Sequence, residues 1–83
     1  MRYRWLITAD LICNEAVGVR GPSSTGADEN ITANPADFVM KDGDGETCYR
    51  GRIWGDYSGF EPLDDYGEPN AGCCRIFYDG VEL

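Results

Sequence analysis

The chain opens on an alternation of apolar and polar positions. Tyr3, Trp5 and Ile7 share one face while Arg2, Arg4, Leu6 and Thr8 share the other, the period-two pattern of a half-buried strand. The pattern returns at Phe38-Val39-Met40-Lys41 and again from Thr47 to Trp54. The two runs flank Asp42-Gly43-Asp44-Gly45, and an Asp-Gly turn between strand-like runs predicts a β-hairpin. In the second arm Tyr49, Gly51 and Ile53 alternate with Cys48, Arg50, Arg52 and Trp54, so one face is mostly apolar and the other carries arginines. Near the end Cys74, Ile76 and Tyr78 alternate with Cys73, Arg75 and Phe77. A turn at Asp79-Gly80 then leads into Val81-Glu82-Leu83, a short edge strand.

Between these runs the periodicity fades. From Glu15 to Thr32 the composition turns to Gly, Pro, Ser and Asn, which reads as a loop. A short helical turn is expected within it from about Thr25 to Ala33, with Ser24 or Thr25 as cap and Asp28 and Glu29 where the helix dipole favours acids. Pro35 ends it, because the residue before a proline avoids helical geometry. The expected fold is therefore mainly β: a single antiparallel sheet of four to five strands with at most one short helix and long irregular connections at 14–36 and 55–72. Eighty-three residues make one domain, 1–83, with a thin core; a chain this short buries only about 60–65% of its unfolded surface. The strands at Arg2 to Thr8 and Val81 to Leu83 are the expected sheet edges, compatible with a monomer or a weak homodimer.

Composition adds that the chain folds and narrows what it does. Ten aromatics and 42% hydrophobic residues exceed what a disordered acidic tail carries. Fifteen acids against seven bases give a net charge of −8, and histidine, the commonest general base and metal ligand, is absent. Residues 1–52 carry eight acids and six bases, whereas 53–83 carry seven acids and Arg75 alone. Asp10 interrupts the only apolar run near the start and no small-residue cleavage site precedes Glu15. The expectation is a cytoplasmic protein with no membrane span and no secretory leader. That compartment favours free thiols at Cys13, Cys48, Cys73 and Cys74, with one disulfide as the alternative.

Catalysis finds little to work with. There is no phosphate-cradling glycine motif, and Asp64-Asp65 are too close in sequence to flank a glycosidic bond. Cys73-Cys74 follow an acidic stretch that holds thiols protonated. Asp42-Gly43-Asp44-Gly45-Glu46 begins like a calcium loop, but Thr47 stands where glycine belongs and Ile53 where the bidentate glutamate belongs. Glu61, Asp64, Asp65 and Glu68 remain as an adventitious cation set. No cofactor is expected. The net charge disfavours direct nucleic-acid binding, and Arg2, Arg4, Arg50, Arg52 and Arg75, though alternation gathers them on one sheet face, are read as cross-strand pairs with acids.

The acidic connection carries the functional reading. Gly55 to Gly72 holds Asp56, Glu61, Asp64, Asp65 and Glu68 without a Lys or Arg, interleaved with Tyr57, Phe60 and Tyr66. Clustered carboxylates present a phosphate-like field to a protein whose surface is basic because it grips nucleic acid, and aromatics supply packed anchors. The plainer alternative is a solvated face that keeps a small protein soluble. A third reading is an accessory module packing against a partner through Trp54, Tyr57 and Phe60.

The block Gly55-Asp56-Tyr57-Ser58-Gly59-Phe60-Glu61-Pro62-Leu63-Asp64-Asp65-Tyr66-Gly67, continued by Pro69-Asn70-Ala71-Gly72-Cys73, with Trp5-Leu6-Ile7-Thr8 and Glu15-Ala16-Val17-Gly18 upstream, resembles small acidic proteins of bacteriophages and bacterial mobile elements. In length, charge and strand-rich layout the chain is similar to anti-CRISPR proteins acting on type I systems, some of which imitate DNA. The resemblance implies an inhibitor without catalysis, acting in the host bacterial cytoplasm. It would bind the basic DNA-binding surface of a CRISPR effector complex, with Asp56, Glu61, Asp64, Asp65 and Glu68 as the phosphate-like set.

Overall fold

The computed structural model describes residues 3–22 and 30–83. Among them are six strands, β1 (Tyr3–Asp10), β2 (Glu15–Gly21), β3 (Ala36–Lys41), β4 (Thr47–Gly55), β5 (Arg75–Tyr78) and β6 (Val81–Glu82). They form one antiparallel sheet in the order β2-β1-β4-β3-β5-β6. The mainly β class stands, and the hairpin around Asp42 to Gly45 is formed by β3 and β4. Asp42 holds its turn: its carboxylate accepts the N–H groups of Asp44 and Glu46 at 2.9 and 3.0 Å. The carboxylate that began the calcium-like motif thus organises the turn itself.

The sheet has one strand more than the sequence predicts. Glu15 to Gly21 reads as loop because its glycines run on into Gly21-Pro22-Ser23-Ser24 and its alternation is confined to Val17 and Val19; in the fold its residues are mostly exposed and Val17 packs against the core. Pairing of β2 with β1 places β1 inside the sheet, and the edges are β2 and β6. The expected helical turn at Thr25 to Ala33 lies mostly outside the described residues; its described part, Asn30 to Ala33, is turn and bend.

The connection 55–72 is not irregular either. A π-helical stretch, Leu63–Gly67, runs directly into α1 (Glu68–Ala71). Just before it the Glu61 carboxylate gathers the preceding turn, accepting the N–H groups of Ser58 and Gly59, each at 2.7 Å, and the Ser58 hydroxyl at 3.1 Å. The wide turn has a local cause. In an α-helix the Asp65 carbonyl would take its hydrogen bond from residue 69, which is a proline with no N–H. The chain opens to the wider spacing there, with the Glu68 N–H bonding the Leu63 carbonyl. Because β4 and β5 flank β3, their connection crosses one face of the sheet, and this helical segment covers that face.

The core lies between them: Trp5, Ile7, Phe38, Met40, Tyr49, Ile53 and Ile76 from the strands meet Leu63 and Cys73 from the connection. Two glycines permit close approach. A Cβ on Gly51 would strike the Phe38 ring and the Leu6 carbonyl, and one on Gly67 would strike the Met40 sulfur. Two bulges reset the faces. Thr8 is unpaired between Ile7 and Ala9, and Cys48 is unpaired between the Met40–Tyr49 and Lys41–Thr47 pairs. The second bulge buries both Cys48 and Tyr49, which places Cys48 opposite to the face that alternation alone assigns. Likewise Cys73 is buried and Cys74 exposed, because β5 begins only at Arg75.

Candidate functional site

The two faces of the sheet carry opposite chemistry. On the covered face, the acidic segment is tied down by its own side chains. Asp65 accepts hydrogen bonds from the Tyr3 hydroxyl at 2.7 Å and from the Trp5 indole N–H at 3.0 Å. Burial first, and then this carboxylate, push the Tyr3 hydroxyl well above the usual phenol range. Tyr66 packs its ring against Trp5 and Tyr49, with centroids 5.5 and 5.0 Å away, and Asn70 donates to its carbonyl. Tyr57 donates to the Asn34 carbonyl at 2.7 Å and stacks on Tyr78, whose hydroxyl donates to the Gly59 carbonyl.

These ties divide the eight residues that the sequence singles out. Glu61, Asp65, Tyr57 and Tyr66 hold the segment together. Burial opposes the charge of Glu61, but the N–H donors of Ser58 and Gly59 outweigh it and hold its carboxyl below the ordinary value. Asp56, Asp64 and Glu68 are exposed, and no side-chain hydrogen bond or ion pair engages them among the described residues. Asp64 and Glu68 stand four residues apart on the outer side of the helical segment. Phe60 is 45% exposed. The unbonded presented surface is therefore three carboxylates and one ring, with Asp65, also exposed, held by Tyr3 and Trp5. Among the described residues no three Cys, Asp or Glu side chains converge as metal ligands, so the adventitious cation set is not assembled. A cleft of about 370 Å³ between the end of β2 and the helical segment has Trp5, Val19, Asp65 and Tyr66 among its walls.

Trp54 does not join Tyr57 and Phe60. Its register opposite Arg4 puts it on the open face, while Tyr57 stacks on Tyr78 on the covered one, so the three aromatics of the accessory-module reading form no single patch.

On the open face the alternation of β1, β3, β4 and β5 collects Arg4, Arg50, Arg52, Lys41 and Arg75. The expected cross-strand pairing accounts for two of them: Arg52 bonds Asp37 at 2.8 Å and Arg75 bonds Glu82 at 2.7 Å. The others rest on rings or stand free. The Arg4 guanidinium lies 3.8 Å from the centre of the Trp54 ring and donates to the Ile31 carbonyl. Lys41 and Arg75 lie 4.9 and 5.2 Å from the Phe77 ring centre. Phe77 shares its alternating face with Arg75, as Trp54 does with Arg50 and Arg52, the signal in the sequence that places both rings on this face.

All four cysteines are free, Cys48 and Cys73 together in the core. Burial pushes the Cys73 thiol up to about 12, aided by the neighbouring Cys48, which removes it as a nucleophile at neutral pH. No helix among the described residues is long and apolar enough to cross a membrane. Family models, curated proteins and solved structures yield no match to the chain.

Proposed function

We propose that the protein is a non-catalytic binding module whose acidic helical segment docks on a basic surface of a partner protein. In the specific form that the resemblance suggests, it is a phage-type inhibitor that occupies the DNA-binding surface of a CRISPR effector complex. The observation that carries the reading is the exposure of Asp56, Asp64 and Glu68 beside the half-exposed Phe60, on a stretch from Gly55 to Gly72 that contains no Lys or Arg. The internal bonds of Glu61 and Asp65 support it in a different way. They fix the backbone that presents those three carboxylates, so little ordering entropy is lost on docking.

The test is capture of partners from a host lysate at low and high salt with the natural chain and with an Asp64→Lys, Glu68→Lys double variant. Both side chains are exposed and unbonded, so the double variant retains the fold. Loss of the captured partner in the variant, and its release by salt, agree with the reading. Undiminished capture by the variant at moderate salt removes it.

A further inference from the structure

The open face of the sheet is used neither by the core nor by the acidic segment. Register places five cations on it from β1, β3, β4 and β5, against two carboxylates, Asp37 and Glu82, in a chain with more than twice as many acids as bases. Both carboxylates are engaged, with Arg52 and Arg75. Arg50 is exposed, sits between the two aromatic clusters, and has no ion pair or side-chain hydrogen bond among the described residues. Mixed charges suffice for solubility, but here the bases are segregated, and they are segregated around rings.

Such a surface complements a polyanion that also carries flat apolar groups. Trp54 and Phe77 lie two strands apart and about four residues apart along the strands, which puts them roughly 16 Å from each other. Arg50 occupies the Phe77 row and Arg52 the row between. A broad sheet face does not enter the major groove of a duplex, which admits a helix or a two-stranded ribbon. It does offer a platform on which unpaired bases stack while cations follow the backbone. The net charge of −8 does not forbid this. The free acids Asp64 and Glu68 lie across the core on the other side of the sheet, and charges separated by about 10 Å are largely screened at 0.1 M salt.

We propose that the open face binds single-stranded nucleic acid, its phosphates held by Arg50 and by Arg4 and Lys41 as these move off the Trp54 and Phe77 rings, on which the bases then stack. The site is independent of the acidic segment and of the partner proposed for it.

The experiment is fluorescence anisotropy of a labelled oligothymidine of about 15 nucleotides, and of a duplex of equal length, titrated with the full chain at low and moderate salt. Saturable binding to the single strand is expected, about tenfold weaker to the duplex and falling about tenfold or more as salt rises sixfold. Arg50→Glu with Lys41→Glu should weaken it at least tenfold with an unchanged circular dichroism spectrum. Trp54→Ala should weaken it about five- to tenfold. Asp64→Lys with Glu68→Lys should leave binding intact or tighten it, which separates this site from the acidic one. No saturation up to about 200 µM protein at low salt, equal affinity for the duplex, or unchanged binding in the Arg50 and Lys41 variant each overturns the proposal. The Arg50 side chain has no hydrogen bond or ion pair among the described residues, so Arg50→Glu alone, with its dichroism unchanged, decides the matter even if Trp54→Ala misfolds.

Discussion

On the covered face of the sheet Asp65 is bonded to Trp5 and Tyr3 and Glu61 to Ser58 and Gly59, whereas on the open face Arg50 meets no carboxylate among the described residues and Arg4 and Lys41 rest against rings. On the first face the charges of Glu61 and Asp65 are structural while Asp56, Asp64 and Glu68 stand unbonded; on the second Arg52 and Arg75 are paired with acids, Arg4 and Lys41 cover rings, and Arg50 is left available. The net charge of −8 conceals this division, because it adds the two faces together. A small sheet with a single covering layer leaves one face in water, and the period-two alternation then decides which residues stand there. The side chains of β4 show both outcomes in one strand: Ile53 is fully buried while Arg52, its neighbour, is exposed and paired with Asp37.

That contrast within β4 gives the largest expected effect. Ile53→Ala should cost about 2–5 kcal/mol, because the side chain is wholly enclosed and the cavity it leaves is walled by the sheet and the helical segment. Arg52→Ala should cost no more than about 1 kcal/mol, since its partner is an exposed surface pair. Chemical denaturation of the two variants measures both. Similar losses would mean that the open face is packed in solution and is not a free surface.

Next in size is Asp65→Ala. It removes a charged acceptor from two aromatic donors, one of them the partly buried indole of Trp5, and should cost about 1.5–3 kcal/mol. Asp64→Ala, one residue away and exposed, should stay within about 0.5 kcal/mol. The same denaturation measurement, with the near-ultraviolet dichroism of the Trp5 site, separates the two acids. If both variants are neutral, the acidic segment is only loosely held and its docking role loses its rigid support.

The unequal legibility of the two faces follows from what each depends on. The hairpin of β3 and β4, the final Asp79-Gly80 turn and the arginine-bearing face were readable because they follow from alternation and turn chemistry, which are local. The strand β2 was not, because an edge strand held by backbone pairing buries few side chains and its pattern shrinks to Val17 and Val19 among glycines. The helical segment was hidden for another reason. Pro62 sits at its first turn, where a missing N–H is tolerated, but Pro69 falls where the π-helical stretch runs into α1, and the wider turn that accommodates its missing N–H is announced by no local pattern. Bulges cannot be read from alternation, and so Cys48 changed faces. The candidate acids were found as a group, but which of them are engaged in bonds depends on contacts across sixty residues, as between Asp65 and Trp5.

The covered face also predicts how pH acts. The folded state holds Glu61 below its ordinary value near 4.5, so the stability it adds is complete above that value and is lost as pH falls through the lowered one. At the other end Tyr49 and Cys73 are each pushed up to about 12 by burial. An unfolded thiol or phenol deprotonates from about 9 to 10 while the folded one keeps its proton, so stability declines as pH rises from that range toward 12. Midpoints of chemical unfolding across pH should form a plateau that falls at both ends. Glu61→Gln should blunt the acid limb and leave the alkaline limb unchanged.

The smallest effect bears most directly on the open face. Arg4→Ala removes the cation over Trp54 and a bond to the Ile31 carbonyl, and should cost about 0.5–1 kcal/mol while shifting Trp54 emission to the red as the ring gains water. Arg50→Ala should cost less still, within about 0.5 kcal/mol, because nothing among the described residues depends on it. A residue that folding hardly needs, placed beside rings on the one face where bases outnumber acids, is the kind whose removal should be felt in binding and not in stability. The ratio of the two losses for Arg50, measured on one protein preparation, decides whether the open face is a solubilising coat or a surface kept free for a ligand.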